Sequence, residues 1–228
     1  MNILITGGTG LIGHALSSAL LSDGHQISIL SRNPDKARNN LPSGVLPIKW
    51  DGRSAEGWGH LIEETDAVIN LAGESIAGDT LPAIITSRWN DENKNRIRTS
   101  RLNAGRALVS AIKNSKKKPK VFIQASAVGY YGPRGDEEIT ENAPAGTDFL
   151  AETCHVWEDS TAEIEGLGIR RAVIRTGLVL APQGGILPMI LLPFRLFAGG
   201  PLGSGEQYVP WIHLEDEVNA IRFLLNAE

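Results

Sequence analysis

Very little in this chain of 228 residues points to a disulfide-bonded, membrane-spanning or fibrous protein. It contains one cysteine, Cys154, so no disulfide can form within the chain, which is typical of a reducing compartment. The most apolar late stretch, ILPMILLPFRLF, is too short to cross a bilayer and contains two prolines and one arginine. No secretory signal is expected, because the opening residues NILIT already resemble a buried strand. We therefore expect a cytoplasmic protein that does not enter membranes.

Neither sign of charge dominates, since 22 basic and 26 acidic residues leave a net charge of −4. Nothing in this balance suggests a nucleic-acid binder, and the one basic run, KKKPK at residues 116–120, is predicted to be a solvated loop. The five histidines show no metal-ligand spacing, so no metal site is predicted. A small-molecule substrate is the expected partner, and the oligomeric state stays open.

Apolar runs alternate with helix-spaced patterns along most of the chain. The predicted strands cover residues 2–6, 26–31, 46–50, 66–73, 120–126 and 170–177, and the predicted helices cover residues 11–21, about 88–112 and about 149–164. The strands are apolar nearly throughout, as in a parallel sheet covered by helices on both faces. This alternation predicts a doubly wound α/β fold. Beyond residue 177, glycine and proline increase, one short helix at most is expected in residues 182–205, and a strand (208–213) and a helix follow.

The stretch ITGGTGLIG places Gly7, Gly10 and Gly13 between the first predicted strand and its helix. Missing side chains let the backbone approach a ligand, and the helix N-terminus offers free N–H groups and a partial positive charge. A pyrophosphate suits such a turn, and the strand–turn–helix context indicates dinucleotide binding. The alternative is a tight turn without a ligand.

The second predicted strand ends in SRNP, without an acidic residue. An acid there would favour NAD through the ribose 2′-hydroxyl, whereas Ser31 and Arg32 suit a 2′-phosphate. The sequence therefore predicts NADP(H) as the cofactor. The alternative is a solvent-exposed Arg32 that binds nothing.

Eight segments together resemble the extended short-chain dehydrogenase/reductase superfamily, in its NAD(P)-dependent epimerase/dehydratase branch. They are ITGGTGLIG, SRNP, INLAGESI, RWNDENKNRIRTSRL, ASAVGYYG, DFLAETCHVWE, RTGLVL and GGPLGSGEQYVPWIH. The atypical subgroup named epimerase family protein, or nucleoside-diphosphate sugar epimerase, is most similar. The resemblance implies a Rossmann-type doubly wound parallel sheet in residues 1–177 and a small C-terminal substrate-facing region of the same unit in residues 178–228. Because this subgroup usually continues further, we expect either a fragment or a short member.

The resemblance also implies cofactor contacts at the carboxyl ends of four strands, where ligands bind in such sheets. The implied residues are Thr6, Gly7, Gly10, Leu11, Ile12 and Gly13 of the glycine turn, then Ser31, Arg32, Trp50, Asp51, Leu71, Ala72 and Gly73. For Trp50, ordinary core packing is the alternative.

Hydride transfer needs a proton partner, and the superfamily implies a tyrosine, a lysine four residues later on the same helix, and a serine. Ser126 matches the serine, but Phe149 and Thr153 occupy the other two positions. Tyr130 and Tyr131 of VGYYG remain as candidate catalytic residues with Ser126. The alternative is that their rings only line or close the pocket.

Other polar residues are weaker candidates. Lys94, Arg96 and Arg101 could meet an acidic substrate group or form a solvated helix face, and Glu152 and Glu158 could act as acid or base or be exposed carboxylates. Cys154 is predicted to be a small buried residue, and His213 a packed or hydrogen-bonded one.

Two functions follow from these features. One is an NADP(H)-dependent oxidoreductase or sugar-nucleotide epimerase with a small, nucleotide-linked substrate. The other is a non-catalytic NADP(H)-binding regulator, in line with the cell-division label of some relatives.

Overall fold

A six-stranded parallel sheet forms the centre of the molecule. The computed structural model describes residues 1–76, 90–201 and 203–227. The sheet has the order β3-β2-β1-β4-β5-β6. Its strands are β1 (Asn2–Thr6), β2 (Gln26–Ser31), β3 (Leu46–Lys49), β4 (Ala67–Asn70), β5 (Val121–Ala127) and β6 (Arg170–Thr176). The strand order reverses between β1 and β4, so the predicted doubly wound Rossmann-type sheet is confirmed and its ligand crevice lies at that point.

Helices cover both faces of this sheet. The helices of the described residues are α1 (Leu11–Ser22), α2 (Pro34–Arg38), α3 (Asp91–Asn114), α4 (Phe149–Asp159), α5 (Leu187–Arg195) and α6 (Leu214–Asn226), of which α5 packs on the segment before it rather than on this sheet. In β1, Ile3 and Ile5 pack in one core cluster with α1 and α6, whereas Leu4 packs in a second cluster with α3. Successive side chains of a strand point to opposite faces, so a continuous apolar run serves both clusters.

The segment after β6 forms a second, three-stranded sheet and the last helix. Its strands are β7 (Leu178–Ala181), β8 (Gly184–Gly185) and β9 (Trp211–His213), and β7 pairs with both others. Helix α6 contributes Val218 and Ile221 to the core cluster that also contains Leu16 of α1. This segment therefore completes one face of the main sheet.

Several element boundaries differ from the sequence expectations. Helix α4 ends at Asp159 rather than near residue 164, and a separate 3-10 turn (Ala162–Leu167) follows, closed by a left-handed Gly168. Strand β9 begins at Trp211 rather than Tyr208. The predicted start of the long helix at Arg88 lies outside the described residues, and the described helix begins at Asp91. Helix α2 was not expected, although Pro34 at its first position and the Asn33 cap are typical start signals.

The basic run at residues 116–120 has partners within the chain. The backbone N–H groups of Lys116 and Lys117 donate to the Glu63 carboxylate at 2.7 and 2.9 Å. The Lys118 ammonium donates to the carbonyl oxygen of Ile112 at the end of α3, 2.7 Å away. A cation there stabilises the C-terminal carbonyl groups of the helix.

Candidate cofactor and active site

The three glycines of the first turn have different structural roles. Gly7 has φ +68°, and a Cβ there would lie 2.5 Å from the Leu71 carbonyl oxygen of the neighbouring strand end. A Cβ on Gly13 would lie 2.5 Å from the Gly8 Cα. Around Gly10 the nearest atom to such a Cβ is the Gly7 carbonyl oxygen at 3.3 Å, and Gly10 is exposed. Gly7 and Gly13 therefore shape the turn, while Gly10 leaves open space in front of it.

The N-terminus of α1 is bare. Gly10 caps it without a side-chain hydrogen bond, and its first turn contains no acidic residue. The first helical bond runs from the His14 N–H to the Gly10 carbonyl, so Leu11, Ile12 and Gly13 carry the N–H groups that lack an intrahelical acceptor. These groups and the helix dipole fit a pyrophosphate. The Leu11 side chain faces Gly185, which leaves its main chain for the ligand.

Two cationic residues, Arg32 and Lys49, lie where β2 and β3 end. The Arg32 side chain is 78% exposed, and within the described residues its one ion pair is a long contact of 3.9 Å to Glu74. The Lys49 ammonium donates to the Arg32 carbonyl oxygen at 2.6 Å, while the Ser31 hydroxyl accepts from the Asn33 N–H. Sequence reasoning overlooked Lys49, although it ends the strand that pairs with β2. The arrangement suits a 2′-phosphate.

The residues after β3 divide into a core residue and a loop carboxylate. Trp50 is 5% exposed, its ring meets Trp58 edge-on at 6.1 Å, and its indole N–H donates to the Ser54 carbonyl. The Trp50 ring therefore packs in the core, as in the alternative stated for it, and a cofactor contact of this residue stays a prediction. Asp51 is exposed and accepts from the N–H groups of Ser54 and Arg53, which hold the pKa of this carboxyl below its usual value.

A buried row of polar side chains joins the ends of β1 and β4 to the middle of β5. The Thr6 hydroxyl donates to Asn70 at 2.6 Å, and the Asn70 amide donates to Gln124 at 2.9 Å. All three side chains are fully buried. The Thr6 hydroxyl is thus used inside the protein, where it ties β1 to β4, and the cofactor contact expected of Thr6 stays a prediction.

The loop after β4 forms the floor of the crevice. The Leu71 N–H donates to the Thr6 carbonyl oxygen at 3.1 Å, and the Ala72 N–H faces the Asn70 side chain at 3.4 Å. Gly73 is exposed, and a Cβ there would lie 2.9 Å from Cζ of Arg101. A side chain at this position would thus collide with the guanidinium below it.

Arg101 is buried rather than part of a solvated helix face. It is 8% exposed, its guanidinium donates to the carbonyl oxygens of Glu74 and Ile97, and it lies 4.8 Å above the Trp157 ring. Burial lowers the pKa of Arg101, and within the described ranges no carboxylate lies within 4.0 Å of it. Arg96, by contrast, makes an exposed ion pair with Glu74 at 3.0 Å. Lys94 lies 5.5 Å from the Phe149 ring centre.

Ser126 lies at the end of β5 and is 4% exposed. Its hydroxyl donates to a Glu158 carboxylate oxygen at 2.6 Å. Glu158 is 9% exposed, so the alternative of an exposed carboxylate is wrong for Glu158, whereas Glu152 on the same helix is exposed. The two differ because residue 158 faces the sheet and residue 152 faces away.

Arg175 completes this cluster and was not a candidate in the sequence. It pairs in register with Ser126 across β5 and β6. Its Nε and Nη2 each donate to one Glu158 oxygen at 2.9 Å, a bidentate pair. Glu158 thereby raises the pKa of Arg175 above its ordinary value. The available signal was an arginine at the end of an apolar strand, within the RTGLVL segment.

The two candidate tyrosines contact the same guanidinium in different ways. Arg175 Nη1 donates to the Tyr131 hydroxyl at 2.8 Å. The Tyr130 ring centre lies 3.6 Å from Arg175 Cζ. The Tyr130 ring is also parallel to the His155 ring, with 6.3 Å between the two ring centres. The structure thus brings Ser126, Tyr130 and Tyr131 to one cluster through Glu158 and Arg175.

The positions that match the usual tyrosine and lysine cannot replace them. Thr153 is 3% exposed, and its hydroxyl donates to the Phe149 carbonyl oxygen at 2.7 Å. Next to it, Cys154 is buried as predicted, and burial raises the pKa of its thiol. His213 is hydrogen-bonded as predicted, since its Nδ1 accepts from the Glu215 N–H at the start of α6.

A model of the NAD dependent epimerase/dehydratase family matches residues 3–228. The chain therefore belongs to this family, and the resemblance found in the sequence is confirmed. Within the described residues, no group of three or more His, Cys, Asp or Glu side chains is placed to hold a metal ion. No helix in the described part combines the length and the apolar character that crossing a bilayer requires.

Curated relatives and solved structures support the same family. The chain is 41% identical over 226 residues to epimerase family protein YfhF of Bacillus subtilis, covering 98% of this chain and 69% of the relative. It is 36% identical to human epimerase family protein SDR39U1 over its whole length, which is 71% of that relative. The crystal structure of human SDR39U1 (isoform 2) with NADPH matches with a TM-score of 0.85 over 100% of this chain and 70% of that one.

Proposed function

We propose that this protein binds NADP(H) and transfers hydride to or from a small, nucleotide-linked substrate, as an oxidoreductase or a sugar-nucleotide epimerase. One observation carries the proposal. The bare N-terminus of α1 and the cluster of Ser126, Glu158 and Arg175 lie at carboxyl ends of the same sheet, where β4 alone separates β1 from β5. A dinucleotide whose pyrophosphate is held at the N-terminus of α1 can extend its nicotinamide end toward this cluster.

The residues around the crevice favour the phosphorylated cofactor. Arg32 and Lys49 place two positive charges at the ends of β2 and β3, and no acidic residue ends β2. The similar human protein crystallised with NADPH supports the same choice. When bound, the cofactor supplies or accepts a hydride, and the protein must position the substrate and handle a proton.

In this proposal Ser126 positions the reacting oxygen, and a tyrosine of the pair Tyr130 and Tyr131 is the proton partner. The cluster is largely screened from water, since Glu158 and Arg175 have side chains only 12% and 21% exposed. Polar groups held in a sheltered site interact more strongly than in water.

Calorimetry with NADPH and NADH tests cofactor binding, and absorbance of the reduced nicotinamide follows turnover with a panel of carbonyl compounds and sugar nucleotides. Ser126→Ala is expected to abolish turnover while NADPH still binds, and Ser18→Ala, at an exposed serine of α1, is the control. Failure to bind either cofactor would refute the proposal.

A non-catalytic, NADP(H)-binding regulator is the second candidate. Phe149 and the buried Thr153, which occupy the usual tyrosine and lysine positions, favour it. Tight NADPH binding without turnover of any panel compound, in a chain of the relatives' full length, would support this role.

A further inference from the structure

We propose that Tyr131 is the proton donor of this site and that Arg175, held in place by Glu158, is the residue that positions the Tyr131 hydroxyl. This inference rests on the proposed hydride-transfer function and distinguishes between the two candidate tyrosines.

The direction of the hydrogen bond between Arg175 and Tyr131 is unambiguous. A guanidinium has only donors, so the Tyr131 oxygen accepts the bond of 2.8 Å. The phenolic proton must then point elsewhere. None of the described residues accepts a hydrogen bond from this hydroxyl, so its proton remains available to a substrate oxygen.

The Ser126 hydroxyl has the opposite role. It donates its one proton to the Glu158 carboxylate at 2.6 Å, a charge-assisted bond within the range of the strong ones. Ser126 can therefore position the hydroxyl of a substrate alcohol by accepting its hydrogen bond, but it cannot give a proton to a carbonyl oxygen. The cluster offers an acceptor at Ser126 and a donor at Tyr131, and a carbonyl oxygen that becomes a hydroxyl requires the donor.

Tyr130 contributes its ring to the cluster. The ring centre lies 3.6 Å from Arg175 Cζ, a cation–π contact, and the ring also stacks on His155. It meets the Tyr131 ring edge-on at 5.2 Å. These contacts fix the guanidinium and the neighbouring tyrosine without using the Tyr130 hydroxyl.

The charge of Arg175 suits the proposed step. Glu158 binds the Nε and Nη2 side of the guanidinium, and Nη1 donates to the Tyr131 hydroxyl and to the Glu141 carbonyl oxygen at 3.0 Å. When Tyr131 gives up its proton, the positive group beside its oxygen stabilises the negative charge that appears there. Glu158 acts through Arg175 and does not touch the reacting atoms.

The step balances as a carbonyl reduction. The carbonyl carbon gains a hydride with its two electrons from bound NADPH, which would lose that C–H bond and become NADP⁺; the π pair of the C=O bond moves to the oxygen, and that oxygen takes the Tyr131 proton. The phenolic O–H bond breaks as the new alcohol O–H bond forms, and solvent water returns a proton to Tyr131. Oxidation of an alcohol follows the reverse order.

Matched variants separate the two tyrosines in the assay with NADPH and a panel substrate. Tyr131→Phe is expected to lower kcat by about 10²-fold or more, the usual contribution of a general acid, with little change in KM for NADPH. Tyr130→Phe keeps the ring on Arg175 and is expected to lose much less, while Tyr208→Phe, at an exposed tyrosine outside the cluster, is the matched control and should match wild type. Thermal melts check that these variants fold.

A double-mutant cycle tests whether Arg175 acts through Tyr131. Arg175→Met should lower kcat about as much as Tyr131→Phe does. The double variant should lose no more than either single variant, because both substitutions remove the same function. Arg175→Lys should recover part of the rate, since it restores a donor to Tyr131. Additive losses would indicate a structural role for Arg175 and overturn its assignment.

Binding supplies a second readout that does not depend on turnover. Calorimetry measures the affinity of a carbonyl substrate for the protein with oxidised NADP, a complex that cannot react. Tyr131→Phe should weaken it by roughly 2- to 13-fold, the equivalent of one hydrogen bond, and the control Tyr208→Phe should leave it unchanged.

The possible outcomes distinguish this inference from the proposed function. A wild-type protein that binds NADPH but turns over no panel compound overturns the function and this inference with it. Turnover by the wild type that survives in Tyr131→Phe, or is lost in Tyr130→Phe instead, overturns the inference alone.

Discussion

Replacing single glycines of the first turn by alanine adds one methyl group, and the effect on cofactor binding can then be measured separately from the effect on folding. At Gly10, φ is −80°, and a Cβ would meet only the Gly7 carbonyl oxygen at 3.3 Å. We expect Gly10→Ala to change the free energy of unfolding by less than about 1 kcal/mol, because the weaker helix cap is offset by a less flexible unfolded chain. The same methyl occupies the space in front of the N–H groups of α1. NADPH affinity should therefore fall at least about tenfold, the equivalent of one charge-assisted hydrogen bond.

Gly13→Ala and Gly7→Ala are the matched comparisons. At Gly13 a Cβ would lie 2.5 Å from the Gly8 Cα, so the backbone must shift, at a cost of about 1–3 kcal/mol. At Gly7 the clash with the Leu71 carbonyl is as close, and φ +68° adds strain of about 1–2 kcal/mol.

Urea unfolding without cofactor and calorimetry with NADPH measure the two effects independently. The expected pattern is normal stability with weak binding for Gly10→Ala, and reduced stability for the other two. Wild-type NADPH affinity in Gly10→Ala would refute the assignment of this turn to the pyrophosphate.

Three further predictions concern single charged residues. Arg32→Glu should weaken NADPH binding by roughly tenfold or more and affect NADH much less, as seen by calorimetry; equal losses would show that Arg32 does not contact the 2′-phosphate. Burial raises the pKa of Glu217 above its ordinary value of 4.5, so its protonated form is favoured in the folded state; the resulting stability is fully present below pH 4.5 and is lost as pH rises through the raised pKa. Glu217→Gln should therefore raise Tm at pH 8 more than at pH 4. Glu215→Gln, at an exposed position of the same helix, should not show this pH-dependent rise in Tm. Glu158→Ala removes one partner of a buried pair and should cost about 3–5 kcal/mol in urea unfolding, whereas Glu152→Ala should be near neutral; similar costs for both would contradict the buried bidentate pair.

The amino-acid sequence by itself determined the features that depend on neighbours along the chain. Continuous apolar runs placed the six strands of the main sheet, and the spacing of Gly7, Gly10 and Gly13 located the turn before α1. The usual burial of a free cysteine predicted that Cys154 lies in the interior. These predictions succeed because strand propensity, glycine freedom and helix caps act over a few residues.

Only the tertiary structure decided which polar side chains meet. Glu158 contacts Ser126, 32 residues away, and Arg175, 17 residues away, while Arg175 reaches Tyr131 across 44 residues. The register of β5 on β6, which sets Ser126 beside Arg175, makes these contacts. Likewise, Trp50 was ambiguous until the position of Trp58 showed it to be in the core. Residue type and spacing state what a side chain can do, but the packing of strands and helices from distant parts of the chain determines what it touches.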